Sequence, residues 1–74
     1  MTNTDKVINI VQEESGHAGI SIATNLDSLE LDSISLLQLF HRVCDEVKEI
    51  PVEKWSNINT VADILREMDA HLPN

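Results

Sequence analysis

Two Asp-Ser pairs stand five residues apart in the chain: Asp27-Ser28 in "NLDSLE" and Asp32-Ser33 in "LELDSISLLQLF". A serine at the start of a helix can do two kinds of work. Its oxygen can accept a hydrogen bond from a first-turn backbone N–H, which caps the helix. It can also stay exposed as the point where another group is attached. Ser33 directly precedes a strongly apolar helical stretch, so both uses are open to it and neither excludes the other. Other candidates for chemistry are sparse. His17, His41 and His71 are scattered, with no two at metal-ligand spacing on one helix, and read as exposed polar residues. Cys44 falls on an apolar helix face, where a free cysteine acts as a small hydrophobe and lacks the partner that would activate a thiolate. Gly16 and Gly19 do not make a phosphate-cradling loop. Glu13-Glu14 and Asp45-Glu46 point different ways around their helices and read as solvated surface. No catalytic residue and no metal-ligand set can be assigned, so the chain is not expected to be an enzyme.

The elements that must position these residues are helices. The first runs from about Thr4 to Ser15, with Val7, Ile8 and Val11 on its apolar side and Gly16 as a stop. "GHAGISIATNLDSLEL" then reads as a long loop. Ile20, Ile22, Leu26 and Leu29 recur within it, so it should lie packed on the bundle; a short strand at Ile20–Ala23 is the competing reading, and it lacks a partner strand. The second helix carries Leu36, Leu37, Phe40, Val43, Cys44 and Val47 in the 3-4 spacing of a buried face, with Ser33 as its expected cap. Pro51 ends that helix and opens a short third one through "VEKW". Thr60 caps a fourth, in which Val61, Ile64, Leu65 and Met68 share a face and Asp63 completes a capping box. "HLPN" reads as a fraying tail. The expected fold is all-α: a small four-helix bundle of three main helices and one short helix.

Bulk properties narrow the class further. The 74 residues suffice for one small domain, spanning 1–74, and the 42% hydrophobic content fits a folded chain. Thirteen acidic against five basic residues give a formal charge of −8. Nucleic acid is therefore not an expected partner, because its phosphates require clustered Lys and Arg. No apolar run approaches the ~20 residues that cross a bilayer. Residues 1–15 lack the basic start and apolar stretch of a signal peptide. With a single cysteine and no disulfide possible within the chain, the reading is a cytoplasmic monomer with no membrane partner.

The second helix resembles that of the acyl carrier protein family. The family's mark is Asp-Ser-Leu at the start of this helix, preceded by Leu-Gly-x; here Leu29, Asp32, Ser33 and Ile34 hold the equivalent places in "LELDSI". The resemblance continues through the apolar spacing of that helix into "EIP" at 49–51 and "TV" at 60–61. It covers about residues 26–68, while the first helix is compatible without being specific. It implies that Ser33 is esterified with 4′-phosphopantetheine from coenzyme A by a phosphopantetheinyl transferase. Asp32 would then be the motif aspartate that lies close to the transferase's metal ion. The thiol of the arm would carry acyl groups between acyl-loading ligases or synthases, in fatty-acid, polyketide or related biosynthesis. Ser28 as the site would put the acceptor five residues before the helix and stretch the distances to Pro51 and Thr60 beyond the family pattern. It reads instead as a turn residue beside a core Leu29.

The outward face of the second helix then becomes the expected docking surface, with Ile34, Gln38, Leu39, His41, Arg42 and Asp45 as its residues. Two departures from the family pattern mark this chain. Glu30 stands where the family has glycine, so the loop is expected to bend differently. Gln38 replaces a usual acid, and His41 and Arg42 add donors, which points to a specialised partner set because electrostatic complementarity selects partners. The loop after the first helix also reads as a few residues short. Two alternatives share the fold: an aminoacyl or peptidyl carrier, such as a D-alanyl carrier, and an unmodified interaction module.

Overall fold

The computed structural model describes residues 2–70. In order it has α1 (Asn3–Ser15), a 3-10 turn η1 (Leu26–Leu29), α2 (Ser33–Glu46), a 3-10 helix η2 (Val52–Asn57) and α3 (Val61–Ala70). The expected three main helices and one short helix are present, η2 being the short one, and η1 is an additional turn inside the loop. Among the described residues there is no strand, only an isolated antiparallel bridge between Asn25 and Thr60. The expected tail at 71–74, including His71, lies outside the described residues.

Each helix starts and stops for a local reason. Thr2 Oγ1 accepts the Asp5 N–H at 3.1 Å and opens α1, while Gly16 closes it in the left-handed conformation, φ 72°. The first turn of α3 is held by a reciprocal capping box: Thr60 Oγ1 accepts from Asp63 N–H at 3.2 Å, and Asp63 Oδ2 accepts from Thr60 N–H at 3.1 Å. Asp63 Oδ2 also takes the Asn59 N–H at 3.0 Å. The long loop satisfies the next donors, with the Thr24 and Ile22 carbonyls accepting from Val61 and Ala62 N–H at 3.1 and 2.9 Å. The loop is thus stitched to α3 rather than folded as a strand.

One core joins all the elements. α1 contributes Val7, Ile10 and Val11; the loop, Leu26 and Leu29; α2, Leu39, Phe40 and Val43; and α3, Val61, Ile64 and Met68, with Ile50 and Ile58 from the segments between. Ile10 was not among the apolar residues read from the α1 pattern, and Ile8 is only half-buried. α2 also ends sooner than Pro51, at Glu46. Ile50 is 2% exposed, so the chain must leave the helix in time to turn that side chain inward. Cys44 Sγ accepts the Ile50 N–H at 3.4 Å and fixes this turn, while the thiol itself is half-buried.

Two expectations about α2 are corrected. Leu39 is fully buried and cannot offer its side chain to a partner, whereas Leu37, expected in the core, is 48% exposed. Helical geometry gives the reason. Leu39 lies about 40° around the helix from the buried Val43, and Leu37 about 120° from it.

Candidate functional site

The site is built on the loop-to-α2 junction. Asp32 is extended, φ −78° and ψ 175°, and its Oδ1 accepts the Ser35 N–H at 2.7 Å. Asp32, not Ser33, is therefore the cap of α2. A carboxylate at this position is the stronger acceptor and already takes the Ser35 N–H. Hydrogen bonds from the Ser35 N–H, the Ser35 hydroxyl and the Ile34 N–H lower the Asp32 pKa from the ordinary carboxylate value. Relieved of capping, Ser33 is the first residue of α2, exposed, and its Oγ makes no hydrogen bond among the described residues.

Ser28 differs in each respect. It sits inside η1, where its Oγ donates to the Asn25 carbonyl at 2.6 Å and its N–H to the same oxygen at 3.1 Å. Asn25 Oδ1 in turn accepts the Asp27 N–H at 2.9 Å. The first Asp-Ser pair closes a turn, and beside it Leu29 is buried. The chain between the pairs turns at Glu30, the one non-glycine residue with positive φ (56°) among those described. The expectation that Glu30 makes the loop bend differently from a glycine is thus corrected: Glu30 takes the left-handed conformation a glycine would favour, at a steric cost.

Of the expected docking residues, Ile34, Gln38, His41 and Asp45 form one exposed stripe along α2, at spacings of four, three and four residues. Ile34 is 68% exposed. Leu39 lies in the core, as above. Arg42 faces α1, where its guanidinium bonds Glu13 at 2.8 Å and Glu14 at 3.1 Å, and it also bonds Glu46, one turn along α2, at 2.8 Å. These carboxylates raise its pKa above the ordinary arginine value. Arg42 is a clasp between helices rather than a donor held out to a partner.

Among the described residues, two clefts border α2. The larger, about 380 Å³, follows the charged seam with α1 and is lined by Lys6, Asn9, Ile10, Glu13, Arg42 and Glu46. The other, about 310 Å³, borders the serine and is lined by Ser33, Leu36, Leu37, Phe40, Trp55 and Ser56. Only the second touches the loop-to-α2 junction. The sequence reading had no place for it, although the lone Trp in "VEKW" was a usable signal.

A protein-family model described as a phosphopantetheine attachment site matches residues 5–68. The chain belongs to the phosphopantetheine attachment site family. No curated protein and no solved structure gives a match. The family is the carrier domain of acyl carrier proteins, and its members bind 4′-phosphopantetheine covalently. They serve as carriers between synthase and transferase enzymes. For a carrier of this kind, a serine with a free hydroxyl at a helix start fits covalent attachment.

Proposed function

We propose that the chain is an acyl carrier whose 4′-phosphopantetheine is attached at Ser33. The observation that carries this reading is the contrast between the two serines: Ser33 Oγ is exposed and without a hydrogen bond among the described residues at the start of α2, whereas Ser28 Oγ is bound into η1. In the attachment reaction a bond forms between Ser33 Oγ and a phosphorus of the coenzyme A pyrophosphate. The P–O bond to the adenosine bisphosphate breaks, and the serine proton passes to a base on the transferase. Asp32 stands beside Ser33 with its carboxylate held in the charged form, which suits the place next to the transferase's metal ion that its motif position implies. The attached thiol supplies a thioester linkage for cargo.

The partners are a phosphopantetheinyl transferase and acyl-loading ligases or synthases of fatty-acid, polyketide or related specialised pathways. They dock on the stripe of Ile34, Gln38, His41 and Asp45. The carrier works as a single-domain cytoplasmic monomer. No helix among the described residues is long and apolar enough to cross a membrane.

Incubation with coenzyme A and a broad-specificity transferase tests the reading. Intact mass is expected to rise by one phosphopantetheine, and the product to be charged by an acyl ligase in preference to an aminoacyl ligase. No gain with several transferases would leave the chain as an unmodified interaction module. Preferential aminoacylation would make it a peptidyl-type or D-alanyl-type carrier.

A further inference from the structure

The two Asp-Ser pairs are mechanically linked. Asn25 lies where the long loop is fastened to the start of α3. It bridges Thr60, and on either side of it the Leu26 N–H donates to the Asn59 carbonyl at 2.8 Å and the Thr24 carbonyl accepts the Val61 N–H at 3.1 Å. The base of η1 is therefore fixed. Three hydrogen bonds from inside the turn then converge on Asn25. Its Oδ1 accepts the Asp27 N–H at 2.9 Å, and its carbonyl accepts both the Ser28 hydroxyl at 2.6 Å and the Ser28 N–H at 3.1 Å. Asp27 passes the constraint on, its carbonyl accepting the Glu30 N–H at 3.3 Å. Glu30 is left-handed, φ 56° and ψ 36°, between the buried Leu29 and Leu31, which packs against the core. Two residues later the Asp32 carboxylate caps α2 beside Ser33.

A residue with a Cβ keeps the left-handed conformation only where its surroundings enforce it. At Glu30 a return to ordinary φ would redirect the chain entering Asp32. The side-chain bonds of Asn25 and Ser28 oppose that return from the fixed end of the turn. We propose that Asn25 is a positioning residue for the attachment at Ser33. Acting through η1 and Glu30, with the Ser28 hydroxyl as a second tie, it holds the Asp32–Ser33 junction in the orientation the transferase meets. This rests on attachment at Ser33 and adds what aims that serine: the first Asp-Ser pair orients the second. Control of this kind acts on turnover, because a misaligned reacting group slows the chemical step even when docking is unchanged.

The experiment follows transfer of phosphopantetheine from coenzyme A to the full chain by a broad-specificity transferase, with the carrier concentration varied. Intact mass of the native chain is read first; no adduct, or an adduct that persists in Ser33→Ala, would overturn the attachment reading and this inference with it. An Asn cap replaced by alanine shifts the equilibrium of its turn about fivefold, and strain at Glu30 passes most of that factor on to the rate. Asn25→Ala and Ser28→Ala are therefore each expected to reach full modification with kcat lowered roughly threefold and KM unchanged. Asn25→Asp, which keeps a side-chain acceptor for the Asp27 N–H, is expected to retain the native kcat. Glu30→Gly added to Asn25→Ala is expected to restore it, because glycine takes the left-handed conformation unaided. A merely structural role would act differently: partial unfolding removes substrate, which raises the apparent KM and leaves kcat alone. A native kcat in Asn25→Ala, with or without a raised KM, or no rescue by Glu30→Gly, would overturn the inference while leaving attachment at Ser33 standing. Should Asn25→Ala fail to fold, Ser28→Ala decides alone, and a native kcat there would overturn the inference.

Discussion

At the start of α2, capping and the free hydroxyl fall to neighbouring residues. Asp32 accepts the Ser35 N–H at 2.7 Å, and Ser33 Oγ is left without a hydrogen bond among the described residues. From the sequence both duties were expected of Ser33; the structure moves the cap to Asp32 and leaves the serine exposed. Both side chains are good caps, and the choice depends on a backbone bend one residue earlier. The turn role of Ser28 was legible, because Asn25, Asp27 and Ser28 are side chains that bond their own backbone. Glu30 is where local preference and structure conflict. Its φ of 56° costs a side-chain-bearing residue about 1 kcal/mol that glycine avoids, offset in part by the greater freedom of glycine when unfolded. Glu30→Gly is expected to stabilise the fold by about 0.5 kcal/mol, read from the denaturant midpoint at constant slope; a destabilised variant would contradict this account of the loop.

Among the elements, α2 carries the most information. Its apolar spacing announced a buried face, but a one-sided pattern cannot say where that face is centred when α1 and η2 both press on the helix. That is why Leu37 and Leu39 were exchanged between surface and core. Arg42 was misread for a related reason: its three carboxylate partners include Glu13 and Glu14, 29 and 28 residues away, and no local spacing shows them. The clasp is part-exposed and open to screening, so Arg42→Ala is expected to cost about 1 kcal/mol or less, with the difference shrinking in high salt. A salt-independent loss would point to packing instead. The proposed docking stripe gives a separate expectation. From Ser33 to His41, α2 has no Asp, Glu, Lys or Arg, so a partner reading this part meets Ile34 rather than charge. Ile34→Asp is expected to lower transferase kcat/KM by roughly tenfold, about the worth of burying one such side chain. The native rate over this surface is expected to vary little with salt, while a steep salt dependence would show that charge sets the encounter.

On the scale of the whole molecule, the class of fold followed from 74 residues, helical periodicity and stop signals, and the packed loop from Leu26, Leu29 and the half-buried Ile20, whereas Ile22, expected to pack with them, is exposed. The cleft did not, because it is made by η2 meeting α2, a contact between segments with no shared periodicity. Charge acts across the whole chain too. Asp32, Glu46 and Asp63 all have lowered pKa values, held by the Ser35 N–H, by Arg42 and by the Asn59 N–H respectively. A carboxyl whose pKa is lower in the folded state contributes stability above its unfolded value and loses it as pH falls through the folded one. Relief of repulsion in a chain of charge −8 works in the opposite direction, so comparison with a variant isolates the effect. The stability difference between the native chain and Asp63→Asn is expected to be full at neutral pH and to shrink only as pH falls below the ordinary aspartate value of 3.8; a difference that grows with acid would contradict the assignment. The central claim is that this carrier receives its arm on Ser33, and intact mass after transferase treatment of two variants tests it most directly. Ser28→Ala is expected to gain one phosphopantetheine and Ser33→Ala none, whereas modification of Ser33→Ala with loss of modification in Ser28→Ala would contradict it.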